Sequence, residues 1–363
     1  MKIGKKDIYE FAAELDRQKK AKKDYLVNTS LMTMDASPNI TQLSIRNDNT
    51  GETIILGVNE VAHNQIGSHL GIPAKYYDKM RSDNPELLAQ NVNSWFNKTP
   101  KTRMIRTLDG TARAFLSDRY RRIDNFEIAQ TVLPIIADMP EARVDSCEIT
   151  DEKMYIKVVN PRLTTEVVPG DIVQSGIIIM NSEVGLGSVT IMPLVYRLVC
   201  SNGMVINDAK TRKYHVGRGN EAAEDLTIYS DETLIASDRA LQLKIQDTVK
   251  SVVDKVRFER VVDLMRNAKR ATISTTTNIP AMVELAGSDF KYTKEEGEGI
   301  LGYLIRGGDM SLYGFANATT RFAQDVGSYD RSTELETIGY EIMGMSPAKW
   351  KKLQDGSTEQ IVA

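Results

Sequence analysis

Arginine and lysine side chains are concentrated in two segments of the sequence. Residues 101–122 hold seven bases against two acids, a net charge of +5, and residues 197–218 hold five bases against one acid, a net charge of +4. Guanidinium and ammonium groups neutralise phosphates, so clusters of this kind favour binding to a nucleic-acid backbone. The residues that we predict to bind nucleic acid are Arg103, Arg106, Arg113, Arg119, Tyr120, Arg121, Arg122, Arg197, Lys210, Arg212, Lys213 and Arg218.

An aromatic residue stands inside the first cluster, in the run RYRR at 119–122. Guanidinium groups hold the backbone while an aromatic face stacks on any base, which is typical of sequence-tolerant binding to single strands. A second interpretation stays open, because a basic hairpin is often a solvated face or pairs with acids of the same chain. Residues 221–238, with six acids and no base, are candidates for that pairing. An Arg197 within an otherwise apolar strand needs a partner or a ligand, because an unpaired buried guanidinium is costly.

Sequence patterns of known enzyme classes are absent. There is no GxSxG, no GxxxxGK[ST] and no HExxH, and His63 and His69 do not have zinc-ligand spacing. A nucleophilic Cys200 would need a base, for which His215 is the candidate, and a metal site would need Asp118 and Asp124. The six-residue separation of these two acids is more simply explained by pairing with the neighbouring arginines. We therefore predict no cofactor, no metal and no catalytic activity.

Composition describes an ordinary folded chain. The 363 residues are 41% hydrophobic and 26% charged, with a net charge of −3. This length fits two globular domains or one large one. Two cysteines are too few for a disulfide framework, the N-terminus lacks the apolar region of a signal peptide, and no apolar run is long enough to span a membrane. We expect a cytoplasmic protein.

The hydrophobic periodicity predicts an α+β fold with an antiparallel sheet core, segregated helices and a mostly helical C-terminal half. We predict three regions: an N-terminal helix, hairpin and helical segment at 1–100, a β-rich core at 101–220, and an acidic linker with helices at 221–363. Asp109-Gly110 predicts a tight hairpin turn. Residues 62–80 superficially fit a helix-turn-helix, although its second helix is less basic than a duplex-reading helix normally is.

Residues 232–270 predict one long helix or a broken pair. Apolar side chains recur there at three- and four-residue steps, namely Leu241, Ile245, Val249, Val252 and Val256. Such a stripe is a helix-packing seam. Together with the basic segments, it leads us to expect a homo-oligomer.

Three separated motifs occur in order along the chain. They are SDRYRRIDN at 117–125, RLVCSNGM at 197–204 and YGFANATT at 313–320. With LGIP at 70–73 and the stretch 88–95, they resemble a phage- and plasmid-encoded family of unknown function over about residues 55–345. The resemblance implies no established activity, and by analogy it implies a role in DNA metabolism or in countering host defence.

The leading hypothesis is a phage or mobile-element protein that binds or anneals single-stranded DNA in the host cytoplasm. The alternative is a protein-interaction module, structural or directed against host defence, whose basic face meets an acidic host or phage protein without nucleic acid.

Overall fold

A computed structural model of the chain describes residues 1–37, 40–47, 50–120, 122–207, 213–214, 231–252 and 254–359. The helices are α1 (Ile8–Ala21), α2 (Glu60–Leu70), α3 (Ala74–Asp83), α4 (Pro85–Lys98), α5 (Asn125–Asp138), α6 (Asp231–Val252), α7 (Lys255–Arg270), α8 (Ile279–Phe290), α9 (Lys294–Gly307), α10 (Leu312–Phe322), α11 (Tyr329–Met343) and α12 (Pro347–Glu359). The strands are β1 (Lys23–Asn28), β2 (Met32–Ser37), β3 (Ile40–Arg46), β4 (Thr53–Val58), β5 (Thr102–Leu108), β6 (Thr111–Ser117), β7 (Arg143–Ile149), β8 (Met154–Glu166), β9 (Ile172–Asn181), β10 (Val189–Arg197), β11 (Asn202–Val205) and β12 (Lys213–Tyr214).

The first sheet has the strand order β1-β5-β6-β4-β3-β2 and is antiparallel except between β4 and β6. Helices α2, α3 and α4 cover one face, where Ile66, Leu88 and Phe96 pack on strand residues such as Leu43 and Ile105. Strands β5 and β6 thus belong to the same sheet as β1–β4. The predicted boundary near residue 100 falls between a helix and a strand that share this core.

The second sheet, β11-β10-β9-β8-β7, is wholly antiparallel, with β12 paired to the start of β10. Because strand side chains alternate, Ile156 and Ile177 face the layer of α1, α5 and α6, whereas Tyr155 and Ile178 face the opposite side. The C-terminal helices pack at the β11 end of this sheet. Their core includes Val195 and Met204, and α11 contacts β11.

This architecture confirms the predicted α+β class. Local turn chemistry is also as predicted: Asp109 and Gly110 have φ of 51° and 75°, as a type I′ turn requires, and Gly71 ends α2 at φ 68°. The helix pair predicted at residues 62–80 exists as α2 and α3. Tyr77 and Met80 of its second helix are buried in the core between the first sheet and its helices. No helix in the described ranges has the length and apolar character needed to cross a membrane.

The predicted seam of residues 241–256 is divided between two helices. Ile245 and Val249 are fully buried in the core formed by α1, α5 and the second sheet, and Leu241 packs against it. Val256 is 56% exposed on the next helix. The seam therefore packs within the chain, so it no longer supports self-association.

A buried ion pair ties α11 to the second sheet. Lys157 on β8 and Glu336 on α11 are both fully buried, with Nζ and Oε2 2.7 Å apart. The backbone amide of Lys2 donates to the other oxygen of Glu336 at 3.3 Å. Burial lowers the pKa of Lys157 although Glu336 opposes that effect. Glu336 thus holds the N-terminal segment at Lys2 and helix α11 on the same face of the sheet.

Replacing Glu336 by Gln should cost about 3–5 kcal/mol of unfolding free energy, because the buried ammonium of Lys157 loses its carboxylate. The double variant Lys157→Met/Glu336→Gln removes the orphaned charge and should regain most of that loss. Urea denaturation measures both variants. The exposed pair Lys255–Glu259, 3.8 Å apart on α7, supplies the control, and Lys255→Ala should cost less than about 1 kcal/mol. Equal losses for the single and double variants would show that the charge is not the cause.

Candidate functional site

Arg106 is the most enclosed of the predicted residues. Its side chain is fully buried, and its Nε and Nη2 donate to Asp24, which lies directly opposite on β1, at 2.9 and 3.3 Å. Nη2 also donates to Asp124 at 2.7 Å, and Nη1 donates to the carbonyl of Glu183 at 2.9 Å. Arg106 therefore joins β1, the entry to α5 and the β9–β10 connection.

Glu183 completes this group, which we call the junction network: Lys22, Asp24, Arg106, Arg113, Asp124 and Glu183. Arg113 donates to Oε2 of Glu183, and the backbone amide of Asn125 donates to Oε1 at 2.6 Å. Lys22 pairs with Asp124. Three cations thus meet three carboxylates between the two sheets.

The network changes the titration of its members. Burial would raise the pKa of Asp124, but hydrogen bonds from Arg106 and Lys22 outweigh it and lower that pKa. The same carboxylates raise the pKa of Arg106 in spite of burial. Both groups are charged near neutral pH, and their charges are neutralised within the chain.

Arg103 lies on the helix-covered face of the first sheet. Its Nη2 is 2.6 Å from Nδ1 of His69, and its guanidinium carbon is 5.9 Å from the ring centroid of Phe115. Burial and the neighbouring cations Arg103 and Lys101 lower the pKa of His69 to about 4. His69 is therefore neutral at pH 7 and accepts the hydrogen bond from Arg103.

Two predicted arginines reach solvent at the junction end. Arg119 is exposed and has no carboxylate partner among the described residues, and Arg122 is 57% exposed with Nη1 3.1 Å from Asp24. Tyr120 is half-buried, and its hydroxyl donates to the carbonyl of Ser182 at 3.2 Å. Lys213 lies opposite Thr190 at the start of β10. Four predicted residues lie outside the described ranges: Arg121, Lys210, Arg212 and Arg218.

The predicted residues that the structure describes do not form one surface. The junction network contacts the connection that precedes β10, whereas Arg197 is the last residue of that strand. Nine residues of extended strand place its two ends about 27 Å apart, since each step advances about 3.4 Å. Arg197 therefore belongs to a different site.

That second site is a cleft of about 600 Å³ between the β10–β11 turn and helices α9 and α10. Two of the sequence motifs line it, RLVCSNGM through residues 197–201 and YGFANATT through Gly314, Asn317 and Ala318. The other residues that line it are Tyr303, Leu304, Arg306, Gly307, Asp309 and Arg321. We call it the arginine cleft.

The partner that Arg197 requires is Asp171. Nε and Nη2 of Arg197 donate to the two carboxylate oxygens at 2.5 and 2.9 Å, and the hydroxyl of Tyr313 donates to the same carboxylate at 2.9 Å. Asp171 is buried, so its charge is used entirely on this pair. Nη1 of Arg197 also lies 3.2 Å from Sγ of Cys200. Arg197 therefore builds one wall of the cleft and adds no unpaired charge.

The unpaired charge of the cleft comes from Arg306. Its guanidinium carbon is 4.5 Å from the ring centroid of Tyr303, and that of Arg321 is 4.8 Å from the same centroid. Arg321 shares its charge with Asp325, 3.2 Å away, and the hydroxyl of Tyr303 donates to Asp325. Within the described part of the chain, Arg306 is exposed and has no carboxylate partner. Tyr303 thus contacts two of the guanidinium groups that line the cleft.

The cleft residues Tyr303, Arg306 and Arg321 were not among the predicted site residues. The available signal was the three-residue spacing of Tyr303 and Arg306, which places them on the same side of a helix immediately before the YGFANATT motif.

Gly314 in that motif sets the shape of the cleft. A Cβ atom at this position would lie 1.8 Å from the carbonyl oxygen of Asp309. The absence of a side chain lets the loop after α9 close against α10. Lys269 holds the same loop from the other side, with Nζ 2.8 Å from the carboxylate of Asp309.

The residues of the alternative chemistries lie partly outside the described ranges. His215, the base considered for Cys200, lies outside the described residues, and burial raises the pKa of the second thiol, Cys147, to about 11. Asp124 is engaged by Arg106 and Lys22, which lie outside the neighbouring run of arginines at 119–122 where the simpler explanation placed its partners. No group of three or more His, Cys, Asp or Glu side chains in the described ranges is arranged to hold a metal ion.

Comparison with known proteins identifies a family. Residues 114–338, well over half of the chain, match the family model described as "Domain of unknown function (DUF932)". No curated protein and no solved structure matches. The match covers all three sequence motifs, the β9–β10 connection and the arginine cleft.

Arg106→Leu should cost about 3–5 kcal/mol of unfolding free energy at pH 7, because it leaves Asp24 and Asp124 without their buried partner. Arg122→Ala, which removes a half-exposed partner of Asp24, is the control and should cost less than about 1 kcal/mol. Denaturant unfolding at several pH values adds a second readout. Asp124 has a lowered pKa, so its stabilisation is present above its ordinary pKa of 3.8 and is lost as the pH falls through the folded value. The acid-induced loss should be smaller in Arg106→Leu, and an unchanged acid limb would argue against the network.

Gly314→Ala should destabilise the fold by about 1–3 kcal/mol, because its methyl group would overlap the Asp309 carbonyl. Gly307→Ala is the matched control, since a Cβ there has no atom within 4 Å and the residue lines the same cleft. Thermal denaturation compares the two variants. Equal melting temperatures would contradict the close approach at Gly314.

Proposed function

Because the chain belongs to the family described as a domain of unknown function (DUF932), whose name assigns no activity, we propose from the site that it binds single-stranded DNA through the arginine cleft. Arg306 carries the proposal, as an exposed guanidinium that is oriented by Tyr303 and has no carboxylate partner in the described ranges. We include in the proposal a phage or mobile-element origin, a role in DNA metabolism such as annealing, and a cytoplasmic location, to which the free thiols Cys147 and Cys200 are suited.

The contrast with the junction network supports this assignment. Arg106 and Arg113 are neutralised by carboxylates of the same chain, so a phosphate would have to displace a buried partner to reach them. Arg306 needs no such displacement. A guanidinium held on an aromatic ring keeps its donor edge free and loses little conformational freedom when it binds a phosphate.

Arg119 and Arg122 provide a second contact point about one strand length from the cleft. A strand that reached both would span about 27 Å, which is roughly 8 nucleotides when the bases are stacked at 3.4 Å and fewer when the strand is extended. Affinity should therefore rise between oligonucleotides of roughly 4 and 12 nucleotides if both ends are used.

Fluorescence anisotropy with a labelled oligothymidylate should show binding that weakens linearly with the logarithm of salt concentration, because bound phosphates release counterions. Arg306→Ala should lower the affinity about tenfold, as expected for the loss of a charge-assisted hydrogen bond. It should also reduce the magnitude of the salt slope by about 0.7, the contribution of one phosphate on a single strand.

Arg260→Ala is the matched control, because Arg260 is an exposed arginine on α7 outside the cleft and has no carboxylate partner among the described residues. It should bind within about twofold of the wild type. Loss of binding in Arg119→Ala/Arg122→Ala but not in Arg306→Ala would move the site to the junction end. Salt-independent or absent binding would reject the proposal.

One observation favours the protein-interaction alternative. On the face of the first sheet opposite its helices, Ile40 and Ile55 are 56% and 59% exposed. Exposed apolar side chains on a sheet face are suited to a protein partner, including a second copy of the chain. Capture of one host or phage protein that survives nuclease treatment and is lost in Ile40→Lys/Ile55→Lys would support this function. Light scattering on the same variant would measure self-association.

A further inference from the structure

We propose that the arginine cleft recognises the phosphomonoester of a single nucleotide, and therefore a strand end in preference to the interior of a strand. This inference rests on the proposed function and names the part of the nucleic acid that the site would bind. The same chemical group is present in a free nucleoside monophosphate, so the experiment must separate the two sources.

The size of the cleft limits the ligand. Its volume of about 600 Å³ falls in the range of small-molecule sites, which is about 300–1,000 Å³. Its inner wall is closed by the buried group of Arg197, Asp171 and Tyr313. The Lys269–Asp309 ion pair closes the loop side. The cleft is large enough for a single nucleotide, and the further nucleotides of a strand would lie outside it.

The charge of the cleft favours a phosphomonoester over a phosphodiester. Arg197 is neutralised by Asp171, which leaves Arg306 unpaired and Arg321 shared with Asp325. A phosphomonoester carries a charge of about −1.5 to −2 at pH 7 and offers three acceptor oxygens, whereas an internal diester carries −1. Arg306 supplies the unpaired charge, and within the described residues Arg321 donates to Asp325 through Nη1, which leaves its other donors for the additional oxygen of a phosphomonoester.

The remaining lining suits the nucleoside. Val199 lines the cleft and is 60% exposed, whereas Leu304 and Ala318 form its buried floor at 1% and 4% exposure. Two guanidinium groups already contact Tyr303, so a base would have to displace one of them to stack on that ring. Base contact therefore falls on the aliphatic side chain of Val199, which does not distinguish one base from another.

The test compares labelled oligothymidylates that carry a 5′-phosphate, a 3′-phosphate or no terminal phosphate, with the full chain in anisotropy titrations. We expect a terminal phosphate at one end to raise the affinity about tenfold or more. Thymidine 5′-monophosphate should displace the phosphorylated strand at lower concentration than inorganic phosphate does. Arg306→Ala should abolish the difference between phosphorylated and unphosphorylated strands, and Arg306→Lys should restore only part of it, because lysine keeps the charge without the planar donor pair.

Arg260→Ala controls for the loss of an exposed arginine outside the cleft, and an unchanged melting temperature shows that each variant is folded. Equal affinity for all three oligonucleotides, with no displacement by thymidine 5′-monophosphate, would overturn this inference. If that binding still depended on salt, the proposed function would be unaffected. Binding of thymidine 5′-monophosphate without any oligonucleotide binding would support the nucleotide site, assign it to a free nucleotide and reject the proposed function.

Discussion

The guanidinium of Arg106 lies where three distant parts of the chain meet. It donates to Asp24 on the first strand, to Asp124 before α5, and to the carbonyl of Glu183 in the connection of the second sheet. A planar group with fixed donor directions accepts little change in these positions, so it fixes the orientation of one sheet relative to the other. Such a buried group of charges adds little free energy of unfolding compared with an apolar core of the same volume. Removing any one partner, however, leaves a buried charge that neither solvent nor a counter-ion compensates.

This constraint also explains why charge counted along the sequence does not locate charge on the surface. The segment 101–122 holds an excess of bases, yet Asp24 lies 82 residues from Arg106 and Glu183 lies 70 residues from Arg113. The carboxylates that neutralise the cluster come from outside it. The acidic residues 221–238, considered at first as partners, are not needed to account for Arg106, Arg113 or Arg197.

Features that depend on neighbouring residues were predictable, and features that depend on distant ones were not. The Asp109-Gly110 turn and the Gly71 helix end follow from local backbone preferences, and helices such as α5 follow from apolar periodicity. Strand β1 was missed because its sequence continues the basic end of α1, and its pairing with β5 reaches across about 80 residues. The arginine cleft was missed for the same reason, because residues 197–201 and 303–321 meet only in the folded chain. Two of the sequence motifs contain residues from opposite walls of the cleft, but the sequence does not show that these walls are adjacent.

The ion pair between Lys157 and Glu336 cannot form until the ribosome has synthesised both residues. The two residues are 179 positions apart, and synthesis at roughly 5–20 residues per second separates their appearance by about 10–35 s. During that interval the face of the second sheet that carries Lys157 has no α11 to cover it, and the ammonium keeps its hydration. Burial of Lys157 is therefore completed only after the helix that carries its carboxylate has been synthesised.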